Sequence, residues 1–284
     1  MFPIRDHNPS DRTPFVTWAL IVANVAIFLA YFPALSGNEA ELGTFFREWG
    51  LVPGEVTNGG SLRPLVTSMF LHGGWMHLIG NMLFLYIFGD NIEDLMGHLG
   101  FALFYLASGI AAAAGQILAD PGSPIPMVGA SGAIAGVMGG YLLIFPRARI
   151  DVLVILVVII KVFTIPAWLM LGLWFGLQLV NGLSMDLVGG GVAYWAHAGG
   201  FLAGVILALP IWLRRGGTQY WAVHGGKPPH EEVEYRVERR DRSPIPRVRR
   251  VRSPRGADRP LADIARVPRA GQRRGPRGPW SGGR

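Results

Sequence analysis

A serine stands where a polar loop becomes an apolar helix. Ser131 lies within Gly129-Ala130-Ser131-Gly132, after a loop-forming stretch at 120–126 and before an apolar run at 133–145. The first backbone N–H groups of a helix have no partner inside it, and they point toward any anion that forms at that end. A hydroxyl in this position is therefore a candidate nucleophile with hydrogen-bond donors beside it.

A histidine that could serve as its base lies much later in the chain. Small residues recur at four-residue spacing both after Ser131 and around His197: Gly132, Gly136 and Gly140, then Ala196, Gly200 and Gly204. Small residues at this spacing let two membrane helices approach closely. If these two stripes pack together, Ser131 and His197 come within reach, as a nucleophile and a general base must.

Two further polar residues share one helix face. His77 and Asn81 are four residues apart, so their side chains lie together on a helix. Both could donate hydrogen bonds to an oxyanion, and a buried polar pair that only joins helices explains them equally well. His72 precedes Gly73-Gly74, off the helix, and we expect it to support the site rather than take part in the chemistry.

The composition is that of a membrane protein. Half of the 284 residues are hydrophobic and only 16% are charged, which is unlike a soluble domain. The chain has no cysteine, which excludes a thiol nucleophile and a cysteine metal site. Apolar segments predict six membrane helices, at about 15–32, 76–89, 99–118, 131–145, 165–180 and 194–213. Because Pro166 cannot lie inside a helix without a break, we expect an interfacial or re-entrant segment through Phe163 before the fifth helix.

The charges predict an orientation and a domain division. From Arg214 onward there are nineteen Lys/Arg and seven Asp/Glu, a net charge of +12. This tail, 214–284, is predicted to be disordered, after a polar lead at 1–14 and a six-helix domain at 15–213. Basic loops are retained in the cytoplasm, so we expect a multi-pass cell-membrane protein with both termini inside and its site opening outward. The tail could contact anionic lipid, and no nucleic acid partner is expected.

Three motifs together resemble the rhomboid family of intramembrane serine proteases, over about residues 15–213. They are His77-x-x-x-Asn81 within the run 72–81, Gly129-Ala130-Ser131-Gly132, and His197-x-x-Gly200-x-x-x-Gly204. Each motif is weak alone, but their order along the chain and their places on alternate helices make the combination specific.

The resemblance implies an all-α, six-helix bundle that cleaves single-span membrane proteins with a Ser–His dyad. Ser131 would be the nucleophile, His197 the general base and then acid, and His77 and Asn81 the oxyanion donors. Supporting roles would fall to His72, Gly129, Gly132, Gly200 and Gly204. The resemblance implies neither a metal nor a cofactor. Its substrates would enter past a gate formed by the fifth helix and the loop at 181–193.

The sequence departs from the family pattern at two places. Some members have a tyrosine four residues after the serine, where this chain has Ala135, and many have Trp-Arg in the first long loop, where this chain has Leu62-Arg63. Three other functions remain open: an inactive relative that binds membrane proteins, a transporter, and a zinc hydrolase built on His72, His77 and His197.

Overall fold

The computed structural model describes residues 2–156, 159–184, 193–229 and 233. Most of them are helical. The helices are α1 (Phe15–Leu35), α2 (Glu39–Trp49), α3 (Pro53–Thr57), α4 (Pro64–Thr67), a 3-10 turn (Ser68–Phe70), α5 (Trp75–Ala119), α6 (Ser131–Ile144), α7 (Ala167–Ser184), α8 (Tyr194–Arg214) and α9 (Thr218–His224). The strands are β1 (Phe2–Asp6), β2 (Arg149–Leu156) and β3 (Ile159–Pro166).

The helical membrane architecture is confirmed. Within the described residues, α1, α5, α7 and α8 are each long and apolar enough to cross a membrane, and α6 is a shorter apolar helix. Helix α5 is broken at Gly97, whose φ of 71° and ψ of 165° lie outside the helical region and suit glycine. The predicted count of six spans is therefore matched only when the two arms of α5 and the short α6 are counted separately.

A small antiparallel sheet, in the order β1-β2-β3, is a feature that the sequence analysis missed. The predicted polar lead at 1–14 contains β1, and the expected interfacial or re-entrant segment before the fifth helix is a β-hairpin, with Ile150 paired to Ile165. Valine and isoleucine favour strands. Strand pairing satisfies the backbone hydrogen-bonding groups of this apolar run, and Pro166 prevents the run from continuing into α7. Apolar periodicity alone does not separate a buried strand from a helix.

Asp151 fastens the three strands together. Its carboxylate accepts hydrogen bonds from Arg5, His7 and Thr164. Burial alone would raise the pKa of Asp151, but these three donors outweigh it and lower the pKa to about 2. The carboxylate therefore stays charged over the whole physiological range and holds the three strands together.

The first long loop is anchored by Arg63, although this chain lacks the preceding tryptophan. The Arg63 guanidinium lies 4.2 Å above the ring of Trp49 in α2 and donates to the Glu48 carbonyl at 3.0 Å. A cation over an aromatic face is attractive, so a tryptophan from a different segment holds the loop.

Helix α6 is the centre of the bundle, with eleven of its fourteen residues buried. A side chain at Gly200 or Gly204 of α8 would collide with the carbonyl oxygens of Gly132 and Gly136. The α8 stripe thus packs on the α6 backbone, as the spacing predicts. The glycines of α6 themselves point mainly at α5: a Cβ at Gly132 would lie 2.6 Å from that of Ala112, and one at Gly136 would overlap Ser108.

The basic tail does not begin as a disordered segment. Helix α9 (Thr218–His224) follows α8, and the Trp221 indole donates to the Leu143 carbonyl at 3.0 Å. Tyr220 is buried, and the Arg147 amide donates to the Gly226 carbonyl at 2.8 Å. The prediction of disorder from residue 214 is therefore wrong for residues 218–226, because two aromatic side chains give this part of the tail an apolar surface to bury. Residues 234–284 lie outside the described part of the chain.

We predict that truncation after Arg215 lowers the thermal unfolding temperature of the detergent-solubilised protein by several degrees. The truncation removes the burial of Tyr220 and the contact of Trp221 with α6, and a loss of about 1 kcal/mol shifts the midpoint by roughly 2–4 °C in a chain of this size. A truncation after residue 235 is the control, since it leaves every described contact in place. Equal midpoints for the two truncations would contradict the packing of α9.

We also predict that Gly200→Ala destabilises the protein much more than Gly172→Ala. A Cβ at Gly200 overlaps the Gly132 carbonyl oxygen, whereas a Cβ at Gly172 in α7 meets nothing within 4 Å. Forcing an extra carbon into packed space typically costs about 1–3 kcal/mol. Thermal unfolding of both variants in the same detergent measures the difference, and similar midpoints would show that α6 and α8 do not depend on this contact.

Candidate active site

Ser131 and His197 are in direct contact. Ser131 is the first residue of α6 and His197 is the fourth residue of α8, and the His197 Nε2 lies 2.7 Å from the Ser131 Oγ. The close packing of α6 and α8 brings their two N-terminal ends together. The proximity follows from the same small-residue stripes that the sequence displays.

A glutamine on α7 orients the histidine. The Gln178 Oε1 lies 2.8 Å from the His197 Nδ1, and because an amide oxygen can only accept, the Nδ1 carries the proton. The Nε2 then has a free lone pair directed at the Ser131 hydroxyl. The Trp174 ring lies 5.8 Å from the imidazole, at 36° to it. Some relatives have a tyrosine at this position that supports the histidine, whereas this chain has the fully buried Ala135. Here Gln178 and Trp174 of α7 contact the His197 ring instead.

His77 presents a proton to the space beside Ser131. The Gly73 amide donates to the His77 Nδ1 at 3.3 Å, so the Nε2 is the protonated nitrogen. A Cβ at Gly129 would lie 2.8 Å from that Nε2 and 3.4 Å from the Ser131 Oγ. Gly129, with a φ of +133°, thus leaves open the volume between the donor and the nucleophile, where a substrate oxygen could lie.

Asn81 supplies a second donor. Its side-chain nitrogen is buried and has no hydrogen-bond partner within the described part of the protein. Asn81 lines a cavity of about 490 Å³ with His77, Ser131 and His197. A buried donor is stabilised by an acceptor, and an oxygen atom of a molecule in this cavity would lie where the Asn81 amide could donate to it.

His72 lies behind these residues. It is fully buried, and its backbone amide and carbonyl both bond to the Tyr31 hydroxyl at 2.7 Å. Its ring lies 5.1 Å from that of His77, edge to face, and it is not among the residues that line the cavity. This position suits packing support for His77.

Helix α6 is shorter than a bilayer is thick. Fourteen residues span about 21 Å at 1.5 Å per residue, against about 30 Å for the hydrocarbon core of a bilayer. Ser131, at the first position of α6, lines the cavity, which gives water a route to it. Part of the predicted gate, residues 185–192, lies outside the described residues, while α7 beside it exposes Leu173, Leu177 and Val180.

The arrangement contains the groups that acyl transfer needs: a hydroxyl, a neutral imidazole in contact with it, and unpaired donors across a cavity. Ser131, His197, His77 and Asn81 were all predicted from the sequence, whereas Gln178, which contacts His197, was not. A signal for Gln178 was present, because a polar residue within an apolar membrane helix is costly and needs a buried partner. In the described part of the chain, no three His, Cys, Asp or Glu residues are grouped as a metal site would need.

Comparisons with known proteins point to one family. The Rhomboid domain matches residues 59–214, more than half of the chain. The chain is 30% identical to Rhomboid-like protein 11, chloroplastic, of Arabidopsis thaliana, over 73% of this chain and 68% of that protein. It is 30% identical to the rhomboid protease GluP of Bacillus subtilis, over 69% of this chain and 36% of that protein. It is 39% identical to the putative rhomboid protease YdcA of the same organism, over 31% of this chain and 43% of that protein.

We predict that Asn81→Ala slows the labelling of Ser131 by a fluorophosphonate by about a hundred- to a thousandfold, as expected for loss of one oxyanion donor. Asn24→Ala is the control: Asn24 is likewise a buried asparagine, but its amide donates to the Leu20 carbonyl within α1. The control variant should lose stability and keep the labelling rate. If Asn81→Ala is destabilised and still labels at the normal rate, Asn81 only joins helices.

Proposed function

Because the chain belongs to the rhomboid family, we propose that it is an intramembrane serine endopeptidase that cleaves single-span membrane proteins. The observation that carries the proposal is the 2.7 Å contact between the Ser131 Oγ and the His197 Nε2 inside a cavity that also holds Asn81. A relative that only binds membrane proteins would have no need for this contact.

In the proposed reaction, the Ser131 Oγ attacks the scissile carbonyl carbon while its proton passes to the His197 Nε2. The resulting oxyanion accepts hydrogen bonds from the Ser131 backbone N–H, the His77 Nε2–H and the Asn81 amide. His197 then donates its proton to the leaving amine, and the C–N bond breaks to leave an acyl group on Ser131. Water, deprotonated by His197, releases the acyl group and restores the serine.

The hydrogen-bond pattern supports these roles. The Gln178 contact leaves a lone pair on the His197 Nε2, and the Gly73 contact leaves a proton on the His77 Nε2. The first imidazole is thus prepared to accept a proton and the second to donate a hydrogen bond. The two histidines have opposite tautomers because the Nδ1 of His197 faces a hydrogen-bond acceptor, whereas the Nδ1 of His77 faces a donor.

We further propose a cell-membrane location with both termini in the cytoplasm and the cavity open to the outer side. The division of basic residues supports this, since Arg147, Arg149, Arg214 and Arg215 all lie at the end of the bundle opposite Ser131. The proposed partners are transmembrane substrates, the bilayer, and anionic lipid that the net positive tail attracts.

We predict that purified protein in detergent cleaves a generic single-span substrate, and that Ser131→Ala and His197→Ala each reduce cleavage to background. The loss of either member of such a pair removes nearly all nucleophilic activation. Ser108→Ala is the matched control, since Ser108 is a fully buried serine of α5 whose hydroxyl has no described partner and which lies outside the cavity. Normal turnover by Ser131→Ala, with the variants equally folded, would overturn the proposed function.

A further inference from the structure

We propose that Gln178 is the positioning residue for His197, and that the orientation of the His197 ring therefore depends on where α7 lies. This inference rests on the proposed function of Ser131 and His197, and it adds a residue that the three sequence motifs do not contain. In this site, the side-chain amide of Gln178 takes the place that a carboxylate occupies in three-residue serine hydrolase sites.

The contact has the geometry of an orienting hydrogen bond. The Gln178 Oε1 and the His197 Nδ1 are 2.8 Å apart, and the Gln178 residue is only 9% exposed. An imidazole that donates from its Nδ1 is fixed in both tautomer and ring angle, and its Nε2 then points at the Ser131 Oγ. An amide does this without placing a charge in the membrane, where an ionised group is costly.

The location of Gln178 gives this contact a second consequence. Helix α7 is the outer wall of the site: of its eighteen residues, only Ala167, Met170, Leu171, Gln178 and Gly182 are buried. Trp174, one turn before Gln178, both lines the cavity and faces His197. An outward shift of α7 that opened the cavity to a substrate helix would draw the Gln178 oxygen away from the Nδ1. The base is therefore correctly oriented only when α7 is seated against α8.

A structural alternative is that Gln178 simply joins α7 to α8. Under that alternative, its loss lowers stability and leaves the tautomer of His197 as it was. Under the positioning role, its loss changes the tautomer and reduces kcat while KM stays near its normal value, because substrate binding does not use the Nδ1.

The test compares Gln178→Met, which keeps the length of the side chain and removes the acceptor, with Gln178→Glu, which restores an acceptor. Gln116→Met is the matched control, since the Gln116 Oε1 accepts from the Ala196 backbone amide at 3.3 Å and does not contact the imidazole. Each variant is prepared with ¹⁵N-labelled histidine in detergent, and the His197 signal is identified by its absence from His197→Asn.

We expect the wild type and Gln116→Met to show the Nδ1–H tautomer for His197, and Gln178→Met to lose it. We expect Gln178→Met to lower kcat by up to about a hundredfold, as for a misplaced reacting group, with KM within about twofold, and Gln178→Glu to recover most of that loss. An unchanged tautomer in Gln178→Met, or equal losses in the Met and Glu variants, would overturn the proposal. The tautomer can be measured without turnover, so an absence of cleavage by the wild type would count against the protease function and not against the role of Gln178.

Discussion

The contact between the bare backbones of α6 and α8 determines where Ser131 and His197 lie. Carbonyl oxygens of α6 occupy the positions that side chains at Gly200 and Gly204 of α8 would take. A larger separation between the two helix axes would therefore leave a void. Because Ser131 and His197 stand at the adjoining ends of these helices, the axis separation sets their 2.7 Å contact. Helix α5 closes the other side of α6 through Ala112 and Ser108.

The helices that carry the site differ in how firmly they are held. Helix α6 is almost wholly buried, and the arm of α5 that carries His77 and Asn81 contacts it where the Phe88 ring lies 5.0 Å from the Tyr141 ring. Helix α7, which carries Gln178, has only five buried residues among its eighteen. Ser131 therefore begins the most deeply buried helix of the site, while Gln178 lies on a helix that is largely open to its surroundings. Rigid positioning suits charge stabilisation, and a loosely held wall suits entry of a large substrate.

The sequence predicted the helical membrane fold and the approach of Ser131 to His197, because glycine spacing is a local pattern that reports a tertiary contact. It did not predict the sheet, since an apolar run such as 150–165 has no period that separates strand from helix. It also placed α9 in a disordered tail, because the few aromatic residues at 220–221 are outweighed by the charge around them. Gln178 was missed for a different reason: its partner is nineteen residues away, and no motif joins them. The catalytic roles of the site residues stay predictions until activity is measured.

The shortness of α6 has a consequence for how the protein is made. A segment of fourteen residues with four glycines is shorter than the roughly twenty apolar residues that a nascent chain needs to enter a bilayer as a single helix. We therefore expect α6 to be integrated only together with α5, and to reach its final depth when α8 arrives from the ribosome. During synthesis Ser131 would then remain unpaired with His197 until α8 has been made.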